Sequence, residues 1–190
     1  MEHYKSYKTI FLTIFLAFLL FIKFGFGYIF FVNLLFFYLF ILLCLYDLKL
    51  KQVPDYLLLA LLVLAFIITS LPFESSIEGA LILAGAMTLL NFFVTFYIQN
   101  IKARLLNDES LKTKVALGDG DIPVIAAFGA IFGTIEAMFV IFLSAVIGLF
   151  YALFVRFKDN EKEIVYIPVL FVAFLMEYFL EISKYVKDLY

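Results

Sequence analysis

Tyr28–Tyr46 runs for 19 residues without a charge, and Asp47 follows at once. That length matches the ~20 residues an α-helix needs to cross a ~30 Å hydrocarbon core. In lipid every backbone N–H and C=O must be bonded within the segment, so the run dictates a helix. The rest of the chain follows suit: 66% of its 190 residues are hydrophobic and 16% charged, where soluble domains run about half and about a quarter. The composition predicts an all-α, polytopic membrane protein with the lipid bilayer as its solvent. A net charge of −2 gives no sign of a nucleic-acid partner. The single cysteine, Cys44, excludes an intrachain disulfide and a cysteine zinc cluster, and inside an apolar run it reads as a small buried hydrophobe. His3, the one histidine, cannot anchor a metal alone. No metal and no cofactor are expected.

Hydropathy divides the chain into about six to seven transmembrane helices in a single domain, residues 1–190. The first covers Thr9–Ile22 and ends at Lys23 and a Gly25-Phe-Gly27 break. No small-residue cleavage site follows, so it reads as a span rather than a signal peptide. Tyr28–Tyr46 is the second. A short polar connection, Asp47–Asp55, leads with Pro54 in the first turn into a third, Tyr56–Leu71. Ile77–Ile101 is the fourth, its Asn91 expected to hydrogen-bond a neighbouring helix. Lys102–Lys114 is the longest hydrophilic stretch and reads as a partly helical surface segment.

Ile122–Phe157 is too long for one span and slightly short for two, with a break at Gly133-Thr-Ile-Glu136. The fifth helix, Ile122–Phe132, is then about 11 residues, or ~16 Å at 1.5 Å per residue. It cannot cross, so the turn before it is expected below the membrane surface, in a pocket lined by protein or water. Ala137–Val155 is the sixth span, Arg156–Glu163 a polar linker and Ile164–Ile182 the seventh. Glu177 and Glu181 are expected at the interface, with Lys184 available to Glu181.

Alternating sides collect 11 basic residues on one face and 3 (Lys23, Lys184, Lys187) on the other. The positive-inside rule makes the first face cytoplasmic, with the N-terminus on it. Asp47 and the Gly118-Asp-Gly-Asp121 turn both fall there. The two glycines, Gly118 and Gly120, are expected to give the turn conformations a side chain would forbid. Asp121 stands where a helix N-cap would. Ionisable groups at membrane depth are functional candidates. Two carboxylates that meet cannot both ionise easily and share a proton. Such a pair can activate water with one carboxylate and protonate a carbonyl oxygen with the other.

These residues resemble the type IV prepilin and archaeal preflagellin peptidases, the Gly-x-Gly-Asp membrane aspartyl proteases. Asp47, six residues and then Pro54-Asp55 resemble that family's first motif. Gly118-Asp-Gly-Asp121 with Ile-Pro-Val-Ile-Ala-Ala-Phe-Gly-Ala-Ile-Phe-Gly133 resembles the second. The resemblance covers roughly Leu45 to Gly133. It implies catalysis by Asp47 and Asp121, with Gly118 and Gly120 shaping the turn and neither Asp55 nor Asp119 catalytic. The partner it implies is a membrane-anchored pilin- or flagellin-like precursor, whose short basic leader is cut at the cytoplasmic face of the plasma or inner membrane. The family's larger members add an N-terminal methyltransferase region with paired cysteines, and this chain resembles the compact, peptidase-only form. Tyr46-Asp47 with Gly118-Asp-Gly-Asp121 also resembles the presenilin and signal-peptide-peptidase branch, without a Pro-Ala-Leu triplet in the terminal span. A small ion transporter or assembly component is the non-enzymatic alternative, although neither acid lies mid-span and no repeat is visible.

Overall fold

Gly25, Pro54, Pro72 and Gly133 cut the apolar sequence into helices in a computed structural model that describes residues 2–158 and 165–187. Helix α1 (Glu2–Phe24) ends at Gly25, whose φ of +66° a side chain rarely adopts. Helix α2 (Tyr28–Leu50) closes on Lys51, whose N–H returns to the carbonyl of Asp47. Pro54 precedes α3 (Asp55–Ile68) and Pro72 precedes α4 (Phe73–Phe96). A π-helical turn (Tyr97–Lys102) and α5 (Ala103–Leu106) continue α4 outward. A 3-10 turn (Glu109–Thr113) leads toward α6 (Asp121–Phe132). Gly133, at φ +82°, separates α6 from α7 (Thr134–Lys158). Helices α8 (Ile167–Leu180) and α9 (Ile182–Lys187) complete the order. The described residues contain no strand.

Among the described residues, three helical stretches are long and apolar enough to cross a membrane: Tyr28–Leu50, Phe73–Leu106 and Thr134–Leu153. Four shorter apolar ones accompany them. Several expected boundaries move. Helix α2 runs through Asp47 to Leu50 instead of ending before it, because Leu48 and Leu50 let an apolar helix carry two polar residues outward. Pro54 sits just before α3 and not in its first turn. Helix α7 reaches Lys158, and the rest of the expected Arg156–Glu163 linker lies outside the described residues. Glu177 does not face the interface. It is 3% exposed and accepts from the N–H (3.1 Å) and hydroxyl of Ser183, because the left-handed Glu181 folds α9 back over it. Glu181 and Lys184 pair as expected.

Helix α6 is the centre of the packing, and none of its residues is exposed. Its Gly129 lies against Gly79 of α4 so closely that a Cβ on either would overlap the other's carbonyl group. Small residues at such a crossing let backbones meet where lipid supplies no hydrophobic drive. Two hydroxyls fasten the same end: Ser76 donates to the Ala130 carbonyl (2.7 Å) and Thr69 to that of Ile131 (3.3 Å). On the opposite flank an aromatic cluster joins α2, α6 and α8. Phe40 meets Phe171 at 4.8 Å between ring centres, and Phe128 stacks on Phe174 at 5.1 Å. At the far end Lys23 of α1 lies over the ring of Tyr178 at 4.6 Å, tying α1 to α8.

Candidate active site

The contact between Phe40 and Phe128, 6.0 Å between ring centres, sets the two aspartates on a common level. Asp47 lies seven residues after Phe40 and Asp121 seven before Phe128. Seven residues are nearly two helical turns, so each aspartate stands on the same face as its phenylalanine. Helix α2 runs toward the site and α6 away from it. Both carboxylates therefore line one cavity of about 990 Å³.

The two are mounted differently. Asp121 is the first residue of α6 and 7% exposed, and its N–H donates to the Gly118 carbonyl at 3.0 Å. It does not cap the helix; Gly120 holds the cap position, because the Asp121 carboxylate turns back over the loop toward Gly118. Asp47 is half-buried in the last turn of α2. Its Oδ2 accepts from the N–H of Ile167 at 3.0 Å, at the start of α8. That N–H is one of the four a helix leaves unbonded at its N-terminus.

Neither Gly118 nor Gly120 is left-handed, contrary to expectation; Gly120 has φ −70°. The need at Gly118 is room, since a Cβ there would stand 3.3 Å from Oδ2 of Asp121. Gly120 faces Leu58 and Val53 at ordinary contact distance. Asp55 and Asp119 also line the cavity and are exposed, as are Lys51 and Lys114 among them. Among the described residues no three His, Cys, Asp or Glu side chains gather to hold an ion.

Three supports were not read from the sequence. Ile167 is one, and Tyr166 beside it is another. Ser144 donates its only proton to the Ile141 carbonyl (2.7 Å), so the 2.8 Å contact between hydroxyls has Tyr166 donating to Ser144. This bond pins the cavity wall at Tyr166 to α7. The third is Asn91, which among the described residues bonds no neighbouring helix. Its Oδ1 accepts from the Leu117 N–H at 3.0 Å and so holds the loop just ahead of Gly118. Pro168 marks the start of α8 in the sequence, but nothing there marks its register against Asp47.

A family model, that of the type IV leader peptidase family, matches residues 34–153. The chain belongs to this family. The leader peptidase match takes in Asp47, the Gly118–Asp121 turn and all of α6, while α1 and α8 lie outside it. It favours the prepilin peptidase resemblance over the presenilin one, and with the apolar helices it describes a membrane peptidase. No curated protein and no solved structure matches the chain.

Proposed function

We propose that this protein is an aspartic-type endopeptidase that removes the basic leader of a pilin- or archaellin-like precursor. The observation that carries the reading is the shared cavity: Asp47 and Asp121, from different helices, line it together. With one proton between them, one carboxylate takes a proton from water as its oxygen attacks the scissile carbonyl carbon. The other donates to the carbonyl oxygen. The C–N bond of the resulting diol then breaks as the leaving nitrogen takes up a proton. The Ile167 N–H on Asp47 fits Asp47 as the ionised partner and base, which leaves Asp121 as the acid. The reading needs no metal and no cofactor.

The same reading sets the chain as six to seven spans with the N-terminus and cavity on the cytoplasmic side. The support is the distribution of its 14 basic residues. A precursor whose leader meets its hydrophobic helix at that face would present its cut site at the level of the cavity. The test is cleavage of such a precursor by membranes containing wild type, Asp47→Asn or Asp121→Asn. Each change keeps the size and removes the acid, and each is expected to slow cleavage at least ~10³-fold, within the range of general acid–base effects. Normal cleavage by both inserted variants overturns the aspartic mechanism. Because the pair works with one proton, the rate should also fall on both sides of a pH optimum, and a pH-independent rate counts against a shared proton.

A further inference from the structure

The segment that leads into the Gly118 turn is tied to α4 and the π-helical turn that continues it by a ladder of side chains. Asn91, Thr95 and Gln99 stand four residues apart and so share a helix face. Gln99 donates to the Lys114 carbonyl (3.0 Å), Thr95 accepts from the Ala116 N–H (3.0 Å), and Asn91 accepts from the Leu117 N–H. Lys114 has extended backbone angles, φ −80° and ψ 137°. The carbonyl of Lys114 and the N–H of Ala116 both turn toward α4. In an extended chain the residue between them turns its own N–H and C=O the other way.

That residue is Val115. Among the described residues nothing bonds its N–H or its C=O, and the residue is 58% exposed. It lines the same cavity as Asp47 and Asp121. One edge of this short segment is thus saturated by side chains of α4 and the π-helical turn after it, while the other offers a free donor and acceptor pair in the cavity that the two carboxylates line. Such an edge takes an extended peptide by strand addition, with main-chain bonds that fix the path of the peptide whatever its side chains.

We propose that Val115 is the main-chain subsite of this peptidase: its N–H and C=O pair with the extended stretch of substrate next to the scissile bond, and the Asn91–Thr95–Gln99 ladder positions them. The occupant is the unwound junction of the precursor, because the free edge and the two aspartates share one cavity. The inference rests on the peptidase reading.

The test uses the whole protein in detergent micelles and synthetic precursors carrying one N-methylated backbone amide at a time through the residues flanking the cut. Wild type should lose about tenfold in kcat/KM, mostly through KM, at one amide and little at its immediate neighbours. Val115→Pro, which deletes the N–H, should raise KM about tenfold for the unmodified precursor and remove the sensitivity to that amide. Val115→Ala, which keeps the main chain, should lose distinctly less.

Equal cleavage of every N-methylated precursor overturns the proposal, as does a folded Val115→Pro variant with the wild-type pattern. Should Val115→Pro fail to fold, hydrogen exchange at the Val115 amide in Asp121→Asn decides, with slowing by unmodified precursor expected and no slowing against it. A wild type that cuts with a flat N-methyl pattern sinks this inference alone. Active Asp47→Asn and Asp121→Asn proteins sink the aspartic mechanism alone. A wild type that cuts no precursor takes both down.

Discussion

Helix α6, which begins in the cavity, and the outer half of α4, which reaches it only through the loop before Gly118, are both apolar but are held in opposite ways. Helix α6 has no exposed residue. It is clasped by backbone contact at Gly79–Gly129, by the Ser76 and Thr69 hydroxyls and by the aromatic cluster on its other side. The outer half of α4 presents Phe92, Phe93 and Phe96 outward, each at least 53% exposed. Its engagement with the site runs through three polar side chains on one face. The aspartate that begins α6 is thus fixed by dense packing, and the loop before it by a few replaceable hydrogen bonds. On the proposed reading, rigidity is concentrated where the reacting group would be held, and adjustability where the substrate chain would enter.

The largest effect expected from breaking this contrast is at the glycine crossing. Gly129→Ala puts a methyl group into the Gly79 backbone, which cannot give way, and should cost about 3 kcal/mol or more, as overpacking at its upper end does. Gly85→Ala, on the same α4 but with nothing within 4 Å of the added carbon, should stabilise by about 0.5–1 kcal/mol through helix propensity. Thermal unfolding in micelles measures both, and equal effects would erase the distinction between the two regions.

Ser76→Ala comes next. It removes a buried hydroxyl's bond but leaves the Ala130 carbonyl in its helix, so a loss of about 1 kcal/mol is expected by the same measurement. Thr95→Val sharpens the comparison from the other side. It should change the unfolding midpoint little, because Thr95 is only partly buried, yet lower precursor cleavage by about three- to tenfold by freeing the Ala116 N–H. A Thr95→Val protein that unfolds early but cuts normally would show the ladder to be a brace for α4 and not for the site.

How legible this was in the sequence depends on whether the signal was local. The helical breaks at Gly25 and Gly133 and the short α6 could be read from uncharged runs and from residues that interrupt them. Asp47 and Asp121 were found by their motifs. Their sharing a cavity rests on an aromatic seven residues away from each, a spacing readable in principle but hidden among 26 phenylalanines. Glu177 was misjudged because a carboxylate one turn before a helix break looks the same whether it faces water or caps the next helix. The α8 wall could not be seen at all. Its contribution is a backbone N–H at Ile167 and a tyrosine hydroxyl at Tyr166, 120 and 45 residues on from Asp47 and Asp121 respectively, and main-chain donors leave no trace in side-chain identity. Asn91 was correctly expected to form a hydrogen bond, but to a neighbouring helix; a polar side chain on an apolar helix announces that it needs a partner without saying which.

Helix α6 also bears on how the chain is made. At 12 residues and ~18 Å it is too short to be retained by a bilayer on its own, and its glycine-lined face fits α4. Its place must be prepared by α3 and α4, which precede it during synthesis. The acid that begins α6 therefore reaches its post only after its neighbours are seated, so a half-assembled chain in the membrane holds Asp47 without Asp121.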